Sequence, residues 1–133
     1  MKHIKKSFFI MGIITLLGGI LGCKAQSAKF QSMTVNDFEK CIADTSVVRL
    51  DVRTVEEYSE GHISKALNID VLRSDFKSKA IAQLPKSKTI AVYCRSGKRS
   101  KRAATILSDN GFKVIDLNTG FNGWVAAGKA VTK

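Results

Sequence analysis

The chain has 133 residues, 25% of them charged and 44% hydrophobic, with one Pro and ten Gly. That is globular composition and enough chain for one domain with a single core; no internal repeat, low-complexity stretch or second domain interrupts it. The formal charge is +11, and the three cysteines form no CxxC or Cys/His cluster, so a metal centre and a disulfide framework are both disfavoured.

The basic residues Lys2, Lys5 and Lys6 precede an apolar run of 14 residues, Phe8 to Leu21, that ends in Gly22-Cys23. A basic start, a short apolar stretch and a small residue before a break point form the pattern of a secretory signal over residues 1–22. The run is shorter than the roughly 20 residues that span a bilayer as a helix; an uncleaved anchor or a buried helix is the alternative. Ile20-Leu21-Gly22-Cys23 resembles the lipobox of bacterial lipoproteins, although Leu21 stands where a small residue is commoner. The resemblance implies that Cys23 becomes the lipidated first residue of an exported protein. Its acyl chains would anchor the protein stably in a bacterial cell envelope, facing the periplasm or the surface. A chain starting at Cys23 keeps 19 Lys and Arg against 11 Asp and Glu. Residues 23–29 then form a tether, and 30–133 the folded domain.

From Phe30 onward strand-like and helix-like stretches alternate. Val35 to Ala43 reads as a short helix with Thr34 or Asn36 as its cap, and Val47 to Leu50 as an apolar, β-branched strand. Thr54-Val55-Glu56-Glu57 has the form of a capping box and opens a helical turn through Tyr58. Ala66 to Ile69 is a short strand, and Ser74 to Leu84 a helix stopped before Pro85. Thr89 to Tyr93 is the clearest strand. Ser100 to Asn110 is a helix closed by Gly111, Lys113 to Leu117 a strand, and Gly123 to Ala127 a last helix stopped by Gly128. Strands separated by helices of this length predict an α/β fold, a mostly parallel central sheet with helices on both faces.

The Thr89–Tyr93 strand runs into Cys94-Arg95-Ser96-Gly97-Lys98-Arg99-Ser100, where a helix begins at once. Ligands of parallel α/β sheets sit outside the carboxyl ends of the strands. A Cys there faces backbone N–H groups and the positive end of the next helix, and Arg95, Lys98, Arg99, Lys101 and Arg102 add cations. These features favour the nucleophilic thiolate, and Gly97 permits the tight turn that lets several N–H groups converge on one anion. Between Phe76 and Ser108 stand nine cations and no Asp or Glu. On its own this reads as a solvated basic face; with the Cys at a strand-to-helix turn it reads as a field aimed at an anion. The charges are not interleaved with aromatics, so no nucleic acid partner is expected.

The segment Cys94 to Arg99 resembles the six-residue active-site loop of the rhodanese family, similar in form to Cys-x-x-Gly-x-Arg. A second segment resembles the family's other hallmark: Asp51-Val52-Arg53, Glu56-Glu57-Tyr58, Gly61-His62-Ile63 and Ala66-Leu67-Asn68-Ile69. Leu117, Gly120 and Gly123-Trp124 make a third match. Lys65, Asp70 and Thr119 depart from the family at turns. The resemblance spans roughly Phe30 to Ala130 and implies a rhodanese-like fold and a thiosulfate sulfurtransferase-like activity. Cys94 would be the catalytic nucleophile that carries sulfane sulfur as a persulfide. Arg95, Ser96, Gly97, Lys98 and Arg99 would bind substrate, with loop N–H groups stabilising the persulfide, Arg95 and Lys98 holding an anionic donor such as thiosulfate, and Arg99 also shaping the loop. The acceptor would be cyanide or a thiol, such as that of a thioredoxin-like protein, and neither metal nor organic cofactor is implied.

Asp51, Arg53 and Glu57 are read as a structural ion-pair and turn network rather than an acid–base set. His62 is read as bonded within its own loop rather than as a Cys–His dyad partner, Trp124 as a core anchor, and Cys41 as a buried thiol rather than a resolving one. Two other functions fit the pattern. One is a non-enzymatic persulfide carrier or sensor. The other is a phosphatase or arsenate reductase, but those that resemble the cell-cycle phosphatases place five residues between Cys and Arg, and this chain has four.

Overall fold

A computed structural model describes residues 29–133. The signal-like segment, Cys23 and most of the tether lie outside the described residues. Strands β1 (Gln31–Met33), β2 (Val48–Asp51), β3 (Leu67–Asn68), β4 (Thr89–Tyr93) and β5 (Lys113–Leu117) form one sheet in the order β1-β5-β4-β2-β3. Every pairing is parallel. Between them run α1 (Val35–Ile42), α2 (Val55–Glu60), α3 (Phe76–Gln83) and α4 (Lys98–Asp109), and α5 (Gly120–Ala126) follows β5. The fold is the α/β class that the sequence predicts.

Alternation along the central strands divides the core. Ile90 and Val92 of β4 join Leu50 and Val114 under α3 and α4, with Phe76, Ala80, Ala103, Ala104 and Leu107. Ala91 and Tyr93 point the other way, toward Phe38, Cys41 and Ile42 of α1 and Trp124 of α5. The central strand is thus buried on both faces, as a parallel sheet requires. Although α4 is polar overall, its buried residues Ser100, Ala103, Ala104 and Leu107 form one stripe at helical spacing. The two alanines let the helix axis lie close to the sheet.

The ends of the elements follow local chemistry. Thr34 caps α1 by accepting the Asp37 N–H. Thr54 and Glu57 complete the capping box of α2. Helix α4 closes with Gly111 at φ +89°, its N–H donating to the Ser108 carbonyl and the Phe112 N–H to that of Leu107. This pair of bonds is the Schellman arrangement that favours Gly at that position.

Three of the differences from the sequence reading bear on how the sheet edge and the loop are built. Strand β1 is unanticipated: three residues with polar Gln31 and Ser32, defined only by pairing with β5 at the sheet edge. Helix α4 starts at Lys98 rather than Ser100, because Gly97 adopts φ +104° and lets the chain turn directly into the helix. Helix α5 starts at Gly120 rather than Gly123, for a reason that lies in the active loop.

Candidate active site

Cys94 stands just beyond the carboxyl end of β4, in the middle of the sheet, and is 1% exposed. Its Sγ accepts the Gly97 N–H at 3.1 Å. A Cβ at Gly97 would lie 2.1 Å from the Asn118 carbonyl oxygen, so the loop lies against the end of β5 at a distance only Gly allows.

The other side of the loop is held by α5. The Phe121 and Asn122 N–H groups donate to the carbonyls of Cys94 (2.8 Å) and Arg95 (3.0 Å). A Cβ on Gly120, itself at φ +65°, would lie 2.4 Å from the Arg95 carbonyl oxygen. The early start of α5 therefore gives two of its orphan N–H groups partners in the loop carbonyls of Cys94 and Arg95.

Four cations, Lys98, Arg99, Lys101 and Arg102, fall in the first two turns of α4, where the helix dipole disfavours them. Residues distant in sequence offset this. Arg99 forms a fork with Glu57, donating from Nη1 to Oε1 at 2.8 Å and from Nη2 to Oε2 at 3.0 Å, while Arg95 Nε donates to Oε2 at 3.1 Å. The Thr54 N–H and hydroxyl donate to the same carboxylate. The hydrogen bonds from Arg99, aided by those from Thr54 and Arg95, outweigh burial and hold the Glu57 carboxyl well below the usual carboxylate range. Arg99 in turn is held above its ordinary value by Glu57. Lys101 Nζ reaches Asp116 Oδ2 at 3.2 Å, and this fully buried carboxylate also accepts the hydroxyls of Ser100 (2.5 Å) and Ser32 (2.6 Å).

The run of nine cations is therefore not one undivided field. Glu57 and Asp116 hold Arg95, Arg99 and Lys101, whereas among the described residues Lys98 and Arg102 make no ion pair. The six loop residues singled out from sequence do come together. Gly97 is buried, Arg99 half-buried, and Arg95, Ser96 and Lys98 are exposed at the mouth.

A family model described as Rhodanese-like domain matches residues 34–127. The chain belongs to the rhodanese-like family. It is 35% identical over 94 residues to Protein HIGH ARSENIC CONTENT 1, mitochondrial, of Arabidopsis thaliana, a match that covers 63% of this chain and 56% of that relative. A relative from Allochromatium vinosum named Sulfurtransferase is 33% identical over 89 residues, covering 65% of this chain and 80% of its own. Among solved structures, a rhodanese-related protein from Thermoplasma volcanium superposes with a TM-score of 0.70 at 30% identity, covering 77% of this chain and 98% of that one. Sulfur transfer is supported at the level of the family.

The rhodanese-like signature residues outside the loop divide differently from the sequence reading. Asp51 and Arg53 form a buried pair of their own: Arg53 Nη2 donates to Asp51 Oδ2 and to the Gly61 carbonyl, both at 2.7 Å. Burial opposes the Arg53 charge, and Asp51 outweighs it, holding the guanidinium above its usual value. Glu57 does not belong to this pair but to the active loop. No sequence spacing signals that link, because it closes across 42 residues to Arg99. His62 is bonded within its own segment, with Nδ1 donating to the Tyr58 carbonyl at 2.8 Å and its ring stacked on Tyr58 at 3.7 Å. Trp124 packs edge-on against Phe38 and donates Nε1–H to the Ala130 carbonyl. Cys41 is 2% exposed, its Sγ 3.7 Å from Met33 Sδ on the α1 face of the sheet, and no disulfide joins it to Cys94.

Proposed function

We propose that the protein is a thiosulfate sulfurtransferase-like enzyme in which Cys94 carries sulfane sulfur between an anionic donor and a thiol acceptor. The observation that carries this reading is the Cys94 sulfur, seated at the amino end of α4 and accepting a backbone N–H from Gly97. An anionic sulfur is the species that such a seat stabilises.

In the first step the Cys94 thiolate attacks the outer sulfur of thiosulfate. The Sγ–S bond forms as the donor S–S bond breaks, and sulfite departs with that electron pair. In the second step an acceptor thiolate or cyanide attacks the terminal sulfur, the Sγ–S bond breaks, and its electrons restore the Cys94 thiolate. Lys98, exposed and without an ion pair among the described residues, is the cation assigned in this reading to the anionic end of the donor. Arg95 can contribute only by sharing or leaving Glu57. Arg99 shapes the loop, since both of its terminal nitrogens are spent on that carboxylate.

Purified protein treated with thiosulfate is expected to gain the mass of one sulfur atom on Cys94, and to turn over when cyanide or a thiol is supplied. Hydrolysis of p-nitrophenyl phosphate is expected to be absent, because four residues between Cys94 and Arg99 enclose a sulfur atom better than a phosphate. Phosphatase activity would sink the proposal, and loading without turnover would make the protein a carrier.

We further propose export and lipid anchoring at Cys23, on the sequence grounds given above. The described chain starts at Lys29, whose carbonyl accepts the Ser108 hydroxyl near the end of α4, on the edge where the parallel strands begin. Cys94 lies at the opposite end of the sheet, just beyond the carboxyl end of β4. Cys23→Ser is expected to shift the protein out of the membrane fraction or block its processing. A variant that fractionates and migrates like the parent would refute the anchor.

A further inference from the structure

Asp116 is a buried charge for which the sulfur-transfer chemistry has no direct use. It lies in β5, fully buried, on the face of the sheet where Val114, two residues before it, packs under α4. A carboxylate taken out of water is costly unless donors meet its oxygens. Here Oδ1 accepts the Ser100 hydroxyl at 2.5 Å, and Oδ2 accepts the Ser32 hydroxyl at 2.6 Å and Lys101 Nζ at 3.2 Å. Two of those three donors belong to the first turn of α4.

That turn has little to hold it locally. Its N-cap is Gly97, which has no side chain to meet the exposed N–H groups. Lys98, Arg99, Lys101 and Arg102 set positive charge at the positive end of the helix dipole. Asp116 brings the missing negative charge from the next strand. The Lys101 ammonium has one proton for each of three acceptors around the turn: Asp116, Asn118 Oδ1 at 3.1 Å and the Gly97 carbonyl at 3.4 Å. The same Gly97 donates its N–H to Cys94 Sγ at 3.1 Å. Lys101 and Gly97 thus join a carboxylate in β5 to the sulfur that follows β4.

We propose that Asp116 is a positioning residue for Cys94, a remote cap that fixes the first turn of α4 and with it the N–H presented to the sulfur. The inference rests on the sulfur-transfer reading and adds to it a residue that touches neither the sulfur nor the donor. With Asp116 in place, Gly97 keeps its carbonyl on Lys101 and its N–H on the sulfur. Without Asp116, Lys101 is released, the cationic turn frays, and the seat of the sulfur loosens. Charge alone predicts the reverse. Removing a buried anion leaves the loop more positive, which should draw in an anionic donor and quicken loading.

The test measures the rate of persulfide formation on full-length protein over a range of thiosulfate concentrations, with thermal unfolding of each variant alongside. In Asp116→Asn the maximal loading rate is expected to fall about ten- to hundredfold, up to the scale of a 1 Å misplacement of reacting groups. The thiosulfate concentration at half-maximal rate should stay level or drop, the mark of a residue that places the nucleophile rather than binds the donor. Lys101→Met breaks the same clamp from its partly exposed end and should lower the maximal rate by a similar factor. The double variant should then be no slower than the worse single one. Ser32→Ala removes a donor that reaches Asp116 from β1 rather than from α4. It should lower stability and leave the maximal rate within about twofold of the parent. If the parent takes no sulfur from thiosulfate, the sulfur-transfer reading fails and this one with it. The positioning proposal alone is overturned if the parent loads and Asp116→Asn keeps the parental maximal rate, or if Lys101→Met does so where Asp116→Asn does not fold. It is equally overturned if Ser32→Ala slows loading as much as either.

Discussion

Substituting Cys94→Ser is expected to abolish sulfur loading and turnover, by at least about a thousandfold, while leaving the fold intact. The hydroxyl is nearly isosteric with the thiol and can still accept the Gly97 N–H that the sulfur accepts at 3.1 Å. The loop, pinned by α5, β5 and Glu57, has no reason to move. A serine hydroxyl, however, is ionised far less than a thiol and cannot form a persulfide, so the chemistry is lost rather than weakened. Cys41→Ser supplies the contrast. Cys41 is buried against Met33 on the α1 face of the sheet, so the extra polarity should cost about 1–3 kcal/mol of stability and little turnover. Activity and thermal unfolding measured on both variants should therefore move in opposite patterns. Sulfur transfer surviving in Cys94→Ser would contradict the mechanism.

What the sequence made legible is what depends on neighbours in the chain. Strand β4 is β-branched or apolar throughout and β5 is so apart from Lys113 and Asp116, and the limits of both coincide with the expected ones. The capping box of α2 and the Schellman close of α4 are written in a few adjacent residues, and the Cys94 loop is one continuous segment. Features made by distant contacts were not legible. Strand β1 exists because Gln31 to Met33 pair with Ile115 to Leu117, and nothing in its composition marks it. The cations of α4 looked unopposed because Glu57 and Asp116 lie outside the counted stretch. The start of α5 at Gly120 is set by the loop carbonyls it must meet, a constraint written in neither segment alone. A basic helix start that breaks the local dipole rule was the available hint, since local rules fail most often where a site is being built.

Substituting Gly97→Ala is expected to be the most damaging small change in the loop, and its effect can be separated from that of an ordinary left-handed glycine. Gly128 provides the comparison: it has φ +75°, and a Cβ there meets nothing within 4 Å. Gly128→Ala should therefore cost only the backbone penalty of a left-handed L-residue, about 1–2 kcal/mol. Gly97→Ala carries a similar penalty at φ +104°, and in addition places a methyl group 2.1 Å from the Asn118 carbonyl oxygen. That oxygen belongs to backbone directly after β5, where the Asn118 N–H is itself bonded to the Met33 carbonyl, so it cannot simply rotate away. The loop must lift, and the Gly97 N–H is then drawn off the Cys94 sulfur. Loading by thiosulfate should fall about a hundredfold or more, the scale that a misplacement of about 1 Å produces in a reacting group. The stability loss should exceed that of Gly128→Ala by about 1–3 kcal/mol. Thermal unfolding and the rate of persulfide formation measured on the two variants decide the matter. Equal stability losses, with loading intact in Gly97→Ala, would show that the close approach of the loop to β5 does not position Cys94.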